Sequence, residues 1–124
     1  MSEERRVEKP WGYEIIWAET NHYVGKILHI NPNEQLSLQY HEEKEETIRV
    51  LNGTMGLVTV EDYGTLMENR HTKELQPGEN YHIAPGTVHR YISLGSHVDI
   101  LEVSTTQLDD VVRLEDNYNR TDEN

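Results

Sequence analysis

The sequence predicts an all-β barrel or sandwich, and three observations lead there. Residues 36–41 alternate, with Leu36, Leu38 and Tyr40 on one face and Ser37, Gln39 and His41 on the other, the period of a β-strand. Asn52-Gly53 separates two β-rich runs, a strong two-residue hairpin signal because both positions tolerate positive φ. Turn residues recur at short intervals, at Asn31-Pro32-Asn33, Gln76-Pro77-Gly78 and Pro85-Gly86, which leaves room for short strands.

The elements follow in order. Residues 1–8 are charged and read as a flexible lead. Residues 9–17 form a first strand and 23–30 a better one. The alternating run at 36–41 leads into an acidic stretch, 42–46, read as solvated loop with Glu46 in register for the next strand. Strands at 47–51 and 54–60 flank the Asn52-Gly53 turn. Residues 66–75 hold strand pieces dense in polar side chains. A short strand at 81–83 precedes the Pro85-Gly86 turn, and 88–93 places His89, Tyr91 and Ser93 on one face. The apolar run at 98–103 is broken by Asp99 and Glu102 and reads as a late strand. Residues 108–118 form a short helix or an extended tail, and 121–124 a disordered end. Roughly ten strands result, in one domain over 9–120, near the common domain size.

Composition narrows the function classes. The net charge of −12 argues against nucleic acid, whose binding rests on cationic contacts. No apolar run approaches a membrane span, and no apolar stretch follows the charged first residues as a secretory leader requires. The absence of cysteine excludes disulfide and thiolate chemistry and fits a reducing cytoplasm. Tyr supplies seven of the nine aromatic side chains and Phe none.

Gln39 and His41, at i and i+2, project from the same strand face. Glu46 and His89 add a carboxylate and a second imidazole from separate segments. A lone Gln-x-His pair is ordinary polar surface; the four together can coordinate one metal inside a barrel. Nitrogen and hard-oxygen donors without sulfur suit a divalent transition metal: Zn, Mn, Fe, Co or Ni.

The spacing of these residues resembles the two motifs of the cupin superfamily. The first reads Asn33, five residues, Gln39, Tyr40, His41, four residues, Glu46, six residues, Gly53; the second reads Gly78, five residues, Ala84, Pro85, Gly86, two residues, His89, three residues, Ser93. Gln39, where most cupins carry His, is similar to the type II phosphomannose isomerase branch. So are Lys9-Pro10-Trp11-Gly12, Leu36-Ser37-Leu38-Gln39, Pro85-Gly86-Thr87 and Asp109-Asp110-Val111-Val112-Arg113-Leu114-Glu115-Asp116. The resemblance spans about residues 9–120 and is greatest to the small stand-alone cupins, which lack the preceding nucleotidyltransferase domain. It implies a single-domain double-stranded β-helix, or jelly-roll barrel, with Gln39, His41, Glu46 and His89 as metal ligands. By analogy it also implies a homodimer. The branch usually carries Lys-Arg where this chain has Lys26-Ile27, and an aromatic or His pair where it has Thr47-Ile48. Those positions fall on strands that could line the cavity.

Two function classes follow. One is aldose–ketose isomerisation of a sugar phosphate, mannose 6-phosphate first, with the metal polarising the C1 and C2 oxygens and a base moving the proton. Lys26 and His82 are the candidate bases, and Lys44, Arg90, Tyr91 and Arg113 the candidate substrate contacts. The other is a non-isomerase cupin, either a metal-dependent oxygenase or a module binding a carbohydrate or small carboxylate without turnover. His22, His29, His71 and His97 read as surface or strand packing, and Trp11 and Trp17 as packing residues.

Overall fold

The computed structural model describes residues 3–120, which form eleven strands. They are β1 (Arg5–Lys9), β2 (Gly12–Glu19), β3 (Val24–Ile30), β4 (Leu38–Tyr40), β5 (Glu46–Asn52), β6 (Met55–Glu61), β7 (Asn69–Leu75), β8 (Asn80–Ile83), β9 (Val88–Ser93), β10 (Val98–Ser104) and β11 (Val112–Glu115). One sheet runs β1-β2-β3-β10-β5-β8 and the other β11-β4-β9-β6-β7. Every pairing is antiparallel. The crossovers between sheets make this the expected all-β jelly-roll barrel.

The inward residues change character along the barrel axis. On β3 they run Ile30, Leu28, Lys26; on β5, Val50, Ile48, Glu46; on β10, Val98, Ile100, Glu102, Ser104. Antiparallel register stacks these into layers, with Val98 beside Ile30, Ile100 between Leu28 and Val50, and Glu102 between Lys26 and Ile48. One end of the interior is therefore an apolar plug, in which Ile30, Val50, Met55, Leu75, Val98 and Ile100 are each at most 1% exposed. The other end collects the buried charged groups. Apolar burial at about 25 cal/mol per Å² stabilises the plug, and the plug holds the polar layer in place.

Gly53 completes the β5–β6 hairpin at φ +81°, and a Cβ there would lie 2.4 Å from the backbone oxygen of His97. Glycine thus meets two demands at this turn, left-handed backbone and close approach.

Two expectations are corrected and one open alternative is decided. Residues 5–9 are strand β1 and not a flexible lead: Arg5 to Lys9 pair in register with Ile16 to Gly12, and backbone pairing needs no apolar side chains. The strand expected at 9–17 begins at Gly12, because Pro10 and Trp11 form the turn. Of the two alternatives for residues 108–118 the extended one holds: they contain β11, paired with β4, and no helix. The tail at 121–124 lies outside the described residues. No helix among the described residues is long and apolar enough to cross a membrane.

Candidate metal centre and its cavity

His41, Glu46 and His89 converge at the polar end of the interior, each offering one ligand atom within 4.8 Å of the others. His41 follows β4, Glu46 opens β5 and His89 is the second residue of β9. They are 4%, 3% and 1% exposed, a level at which charged or polar groups require partners.

Each imidazole is held by its other nitrogen. Nδ1 of His41 donates to the backbone oxygen of Asp110 at 2.6 Å, and Nδ1 of His89 to that of Thr87 at 2.8 Å. A carbonyl accepts only, so in the neutral rings Nδ1 carries the proton and Nε2 presents a lone pair. Neither buried Nε2 has a hydrogen-bond partner. Each lies instead 3.5 or 3.4 Å from Oε1 of Glu46. Two buried lone pairs aimed at one carboxylate are costly without a cation between them, and imidazoles fixed through backbone carbonyls are the usual support of a metal site. The three residues fit a divalent metal.

The carboxylate is supported in turn. Tyr91, fully buried, donates its hydroxyl to Oε1 of Glu46 at 2.9 Å, and Nζ of Lys44 lies 3.2 Å from Oε2. Burial opposes ionisation of Glu46, but the contacts with His41 and His89, which act this way only when those rings carry a second proton on Nε2, and the charge of Lys44 outweigh it and hold the carboxyl well below its ordinary range. Lys44 also reaches Oε2 of Glu102 at 3.1 Å. Burial lowers the Lys44 ammonium, while Glu102 and Glu46 more than reverse this, so it stays charged. Glu102 is pushed up to about 7, first by burial and then by the charge of Glu46, against the opposing charges of Lys44 and Lys26.

The loop from His41 to Glu46 is tied from outside. The Asp110 carboxylate accepts from the backbone N–H groups of Glu42, Glu43 and Lys44 at 3.0, 2.8 and 2.9 Å. From the other side the Gly86 N–H donates to the backbone oxygen of His41 at 2.7 Å.

His41, Lys44, Glu46, Tyr91 and Glu102 line a cavity of about 340 Å³. Gln39 lines it, opposite His89 in register, and its carbonyl oxygen accepts from the Ser37 hydroxyl at 2.6 Å. Lys26, Lys44, Tyr91 and Arg113 line it as well. Lys26 is buried with its Nζ 3.3 Å from Glu14.

Two expected site residues lie elsewhere. His82 pairs with Thr47 on the outer face of β8, half exposed and hydrogen-bonded to Glu45. Its neighbour Ile83 takes the inward position. Arg90 alternates outward between His89 and Tyr91, and its guanidinium donates to the backbone oxygens of Leu36 and Glu115. It staples β9 to the chain segments beside it. Ile27 and Thr47 also face outward, since their neighbours Lys26, Leu28, Glu46 and Ile48 take the inward positions. Ile27 and Thr47 therefore lie behind the cavity wall, while Ile48, the other member of the second pair, packs in the core.

Sequence reading missed Glu14, Glu102 and Lys9, which line the cavity, and Asp110, which ties its loop. Glu102 left a signal: it interrupts an apolar strand at an inward parity. Asp110 left none, because its partners are 66–68 residues away. His29 and His97, read as packing residues, stack at 4.7 Å beside Asp99, to which Nδ1 of His29 bonds at 2.6 Å. These three lie on the outer side of the six-stranded sheet and are a second group that could hold a cation.

Comparison with known proteins agrees with this architecture. The family model "Mannose-6-phosphate isomerase C-terminal" matches residues 1–116. The mannose-1-phosphate guanylyltransferase ManC of Salmonella typhimurium is 36% identical over 121 residues, covering 94% of this chain and 23% of that protein. The xanthan biosynthesis protein XanB of Xanthomonas campestris pv. campestris is 33% identical over 122 residues, covering 94% of this chain and 24% of that protein. The chain thus spans about a quarter of the length of the curated relatives it matches. Among solved structures, the capsular polysaccharide assembling protein CapF of Staphylococcus aureus superposes with a TM-score of 0.78 at 15% identity, over 93% of this chain and 32% of that one. At that identity the likeness shows the fold alone.

Proposed function

This chain is a cupin of the mannose-6-phosphate isomerase C-terminal family, and from that premise we propose that it is a metal-dependent aldose–ketose isomerase of sugar phosphates, with mannose 6-phosphate the first candidate. One observation carries the reading: His41 and His89 are both locked through Nδ1 so that two buried Nε2 lone pairs face Glu46 at a cavity wall. His41, Glu46 and His89 hold the metal, with Gln39 beside them. A divalent transition metal there supplies polarisation of the C1 and C2 oxygens of the sugar.

The chain's own residues do the rest. Tyr91 and Lys44 fix and charge-balance Glu46, leaving it no freedom to act as a base. Lys26 and Glu102 are cross-strand neighbours on the inward face, so a proton leaving the sugar has the Glu102 carboxylate beside the cavity to accept it, next to the Lys26 ammonium. Trp11, Leu28 and Leu36 supply the apolar part of the wall. The outward placement of Ile27 and Thr47 supports an intact reaction chamber.

The test is hydrogen exchange at C2. Mannose 6-phosphate incubated in deuterated solvent with enzyme loaded in turn with Zn, Mn, Fe, Co or Ni should acquire deuterium at C2 and yield the ketose. Sugar-phosphate binding without exchange under any metal would instead establish a binding module. Consumption of O₂ with an oxidised product would establish an oxygenase.

A further inference from the structure

The distribution of cations over the molecule is uneven. The chain has 11 Lys and Arg against 23 Asp and Glu. Six of those cationic side chains, but four of the carboxylates, line the one cavity described above. Two of the six, Lys26 and Lys44, are buried within the barrel and matched to carboxylates. The other four come from the two ends of the described chain: Arg5 and Lys9 from β1, Arg113 from β11, and Arg120 beyond it.

Their placement follows from register. Arg5, Val7 and Lys9 take the inward parity of β1, while Arg6 and Glu8 turn outward, where Arg6 stacks on Tyr13 at 3.7 Å. The two-residue Pro10-Trp11 turn fixes Lys9 opposite Gly12. Arg113 pairs with Gln39, which pairs with His89. Arg113 is therefore in the same cross-strand row as a metal ligand, two strands away, which is roughly 10 Å at the usual strand spacing. A six-carbon phosphate ester spans a comparable distance from its reacting end to its phosphate.

Lys9 is weakly matched at this mouth. Arg5 pairs with Glu19 at 2.6 Å and Arg120 with Asp116 at 2.9 Å. Lys9 has Glu14 at 4.0 Å, and that carboxylate lies closer to Lys26. Burial first, and then the like charges of Lys26, Arg113 and Arg120 against the single opposing charge of Glu14, lower the Lys9 ammonium below its ordinary range. A bound dianion would relieve that repulsion.

We propose that the two chain ends build an anion subsite at the cavity mouth, with Lys9 and Arg113 as its contacts, and that it takes the phosphate of a sugar phosphate monoester. The inference rests on the sugar-phosphate reading of the cavity and assigns the end of the ligand remote from the metal. Lys9 supplies a point charge, and the Arg113 guanidinium a planar fork suited to phosphate oxygens.

Binding of inorganic phosphate, mannose 6-phosphate and unphosphorylated mannose to the full chain, by titration calorimetry and ³¹P line broadening at two salt concentrations, tests this without turnover. Lys9→Met and Arg113→Lys should each weaken mannose 6-phosphate and phosphate binding about 10- to 100-fold, with a smaller salt dependence and no change for mannose. Arg6→Met, on the outer face of the same strand, should leave all three unchanged. Wild-type phosphate affinity in both inward variants would overturn the subsite, as would an equal loss in Arg6→Met, which would mean that net charge alone is at work. Phosphate binding lost in the inward variants, alongside no C2 exchange in the wild type, keeps the subsite and removes the isomerase reading. Exchange at wild-type kcat/KM in both variants does the reverse.

Discussion

Nδ1 of His41 donates a 2.6 Å hydrogen bond to the backbone oxygen of Asp110, joining residues 69 apart in sequence. The same residue's carboxylate gathers three N–H groups of the loop that follows His41. Asp110 thus orients the His41 ring and sets the path of the chain toward Glu46.

Asp110→Ala should therefore weaken the metal site while leaving its ligands in place. Loss of the three acceptor contacts should cost about 1–3 kcal/mol of stability, and metal affinity should fall about 10- to 100-fold. Burial raises the Asp110 carboxyl, but the N–H groups of Glu42, Glu43 and Lys44 outweigh it and lower it from 3.8. A lowered carboxyl contributes stability above its unfolded value and loses it as pH falls through its folded value. The melting-temperature gap between wild type and variant should hold above about pH 5 and close toward strong acid. A gap independent of pH down to acid unfolding would refute the assignment.

The ligand variants separate necessary donors from replaceable ones. His41→Ala and His89→Ala should each abolish stoichiometric metal uptake, whereas Gln39→Ala should retain it at lower affinity, since water can replace an amide oxygen. Metal should also dissociate as pH falls through about 6.5, where free imidazole protonates. Elemental analysis of protein purified without a metal-affinity tag reads the result. Full occupancy in the double His variant would place the bound metal elsewhere, with His29, His97 and Asp99 the first group to examine.

Tyr91→Phe isolates the support of Glu46. The hydroxyl is kept protonated because burial, and then the charge of Glu46, push it well above its ordinary range. It is thus a permanent donor to Oε1. Its removal keeps the ring in the core and should cost about 1–2 kcal/mol, with metal affinity reduced about tenfold. Isothermal titration against a competing chelator distinguishes this from an unchanged site.

Glu102→Gln should alter the pH dependence of the metal-free protein. The folded value of about 7 lies above the ordinary 4.5, so between these limits the folded state holds more protons than the unfolded state. Stability then falls as pH rises through that window. Removing the titrating group should flatten the slope, leaving the variant of the order of 1–3 kcal/mol more stable relative to wild type at pH 8 than at pH 4.5. Parallel urea curves at the two pH values for both proteins would contradict the assignment. Lys44→Met should have the opposite character and destabilise by about 3–5 kcal/mol, because it leaves Glu46 and Glu102 buried together without their shared cation.

The sequence by itself determined the barrel and brought out three residues that the fold gathers, His41, Glu46 and His89. Period-two alternation around residues 36–41 and 88–93 sets which side chains share a face. His41 and His89 were therefore legible as inward residues, and Glu46 as the register start of β5. Asn52-Gly53 marked a hairpin because local backbone chirality restricts such turns to residues that tolerate positive φ. Parity was less informative where a strand's boundaries were unknown. His82 and Arg90 carry suitable chemistry on strands that were expected, yet each sits one residue out of phase with the interior. Tertiary structure alone decided the cavity mouth. Arg5-Arg6-Val7-Glu8-Lys9 has no apolar face, so nothing local marks it as a strand; its pairing with β2 is made by backbone groups and turns Arg5 and Lys9 inward. Asp110 reaches the site from the far end of the chain for the same reason, and Arg113, a candidate contact from the sequence, is brought to the cavity by the pairing of β11 with β4. Backbone hydrogen bonds and packing join segments regardless of their separation in sequence, and a site assembled across the barrel exists only once those pairings have formed.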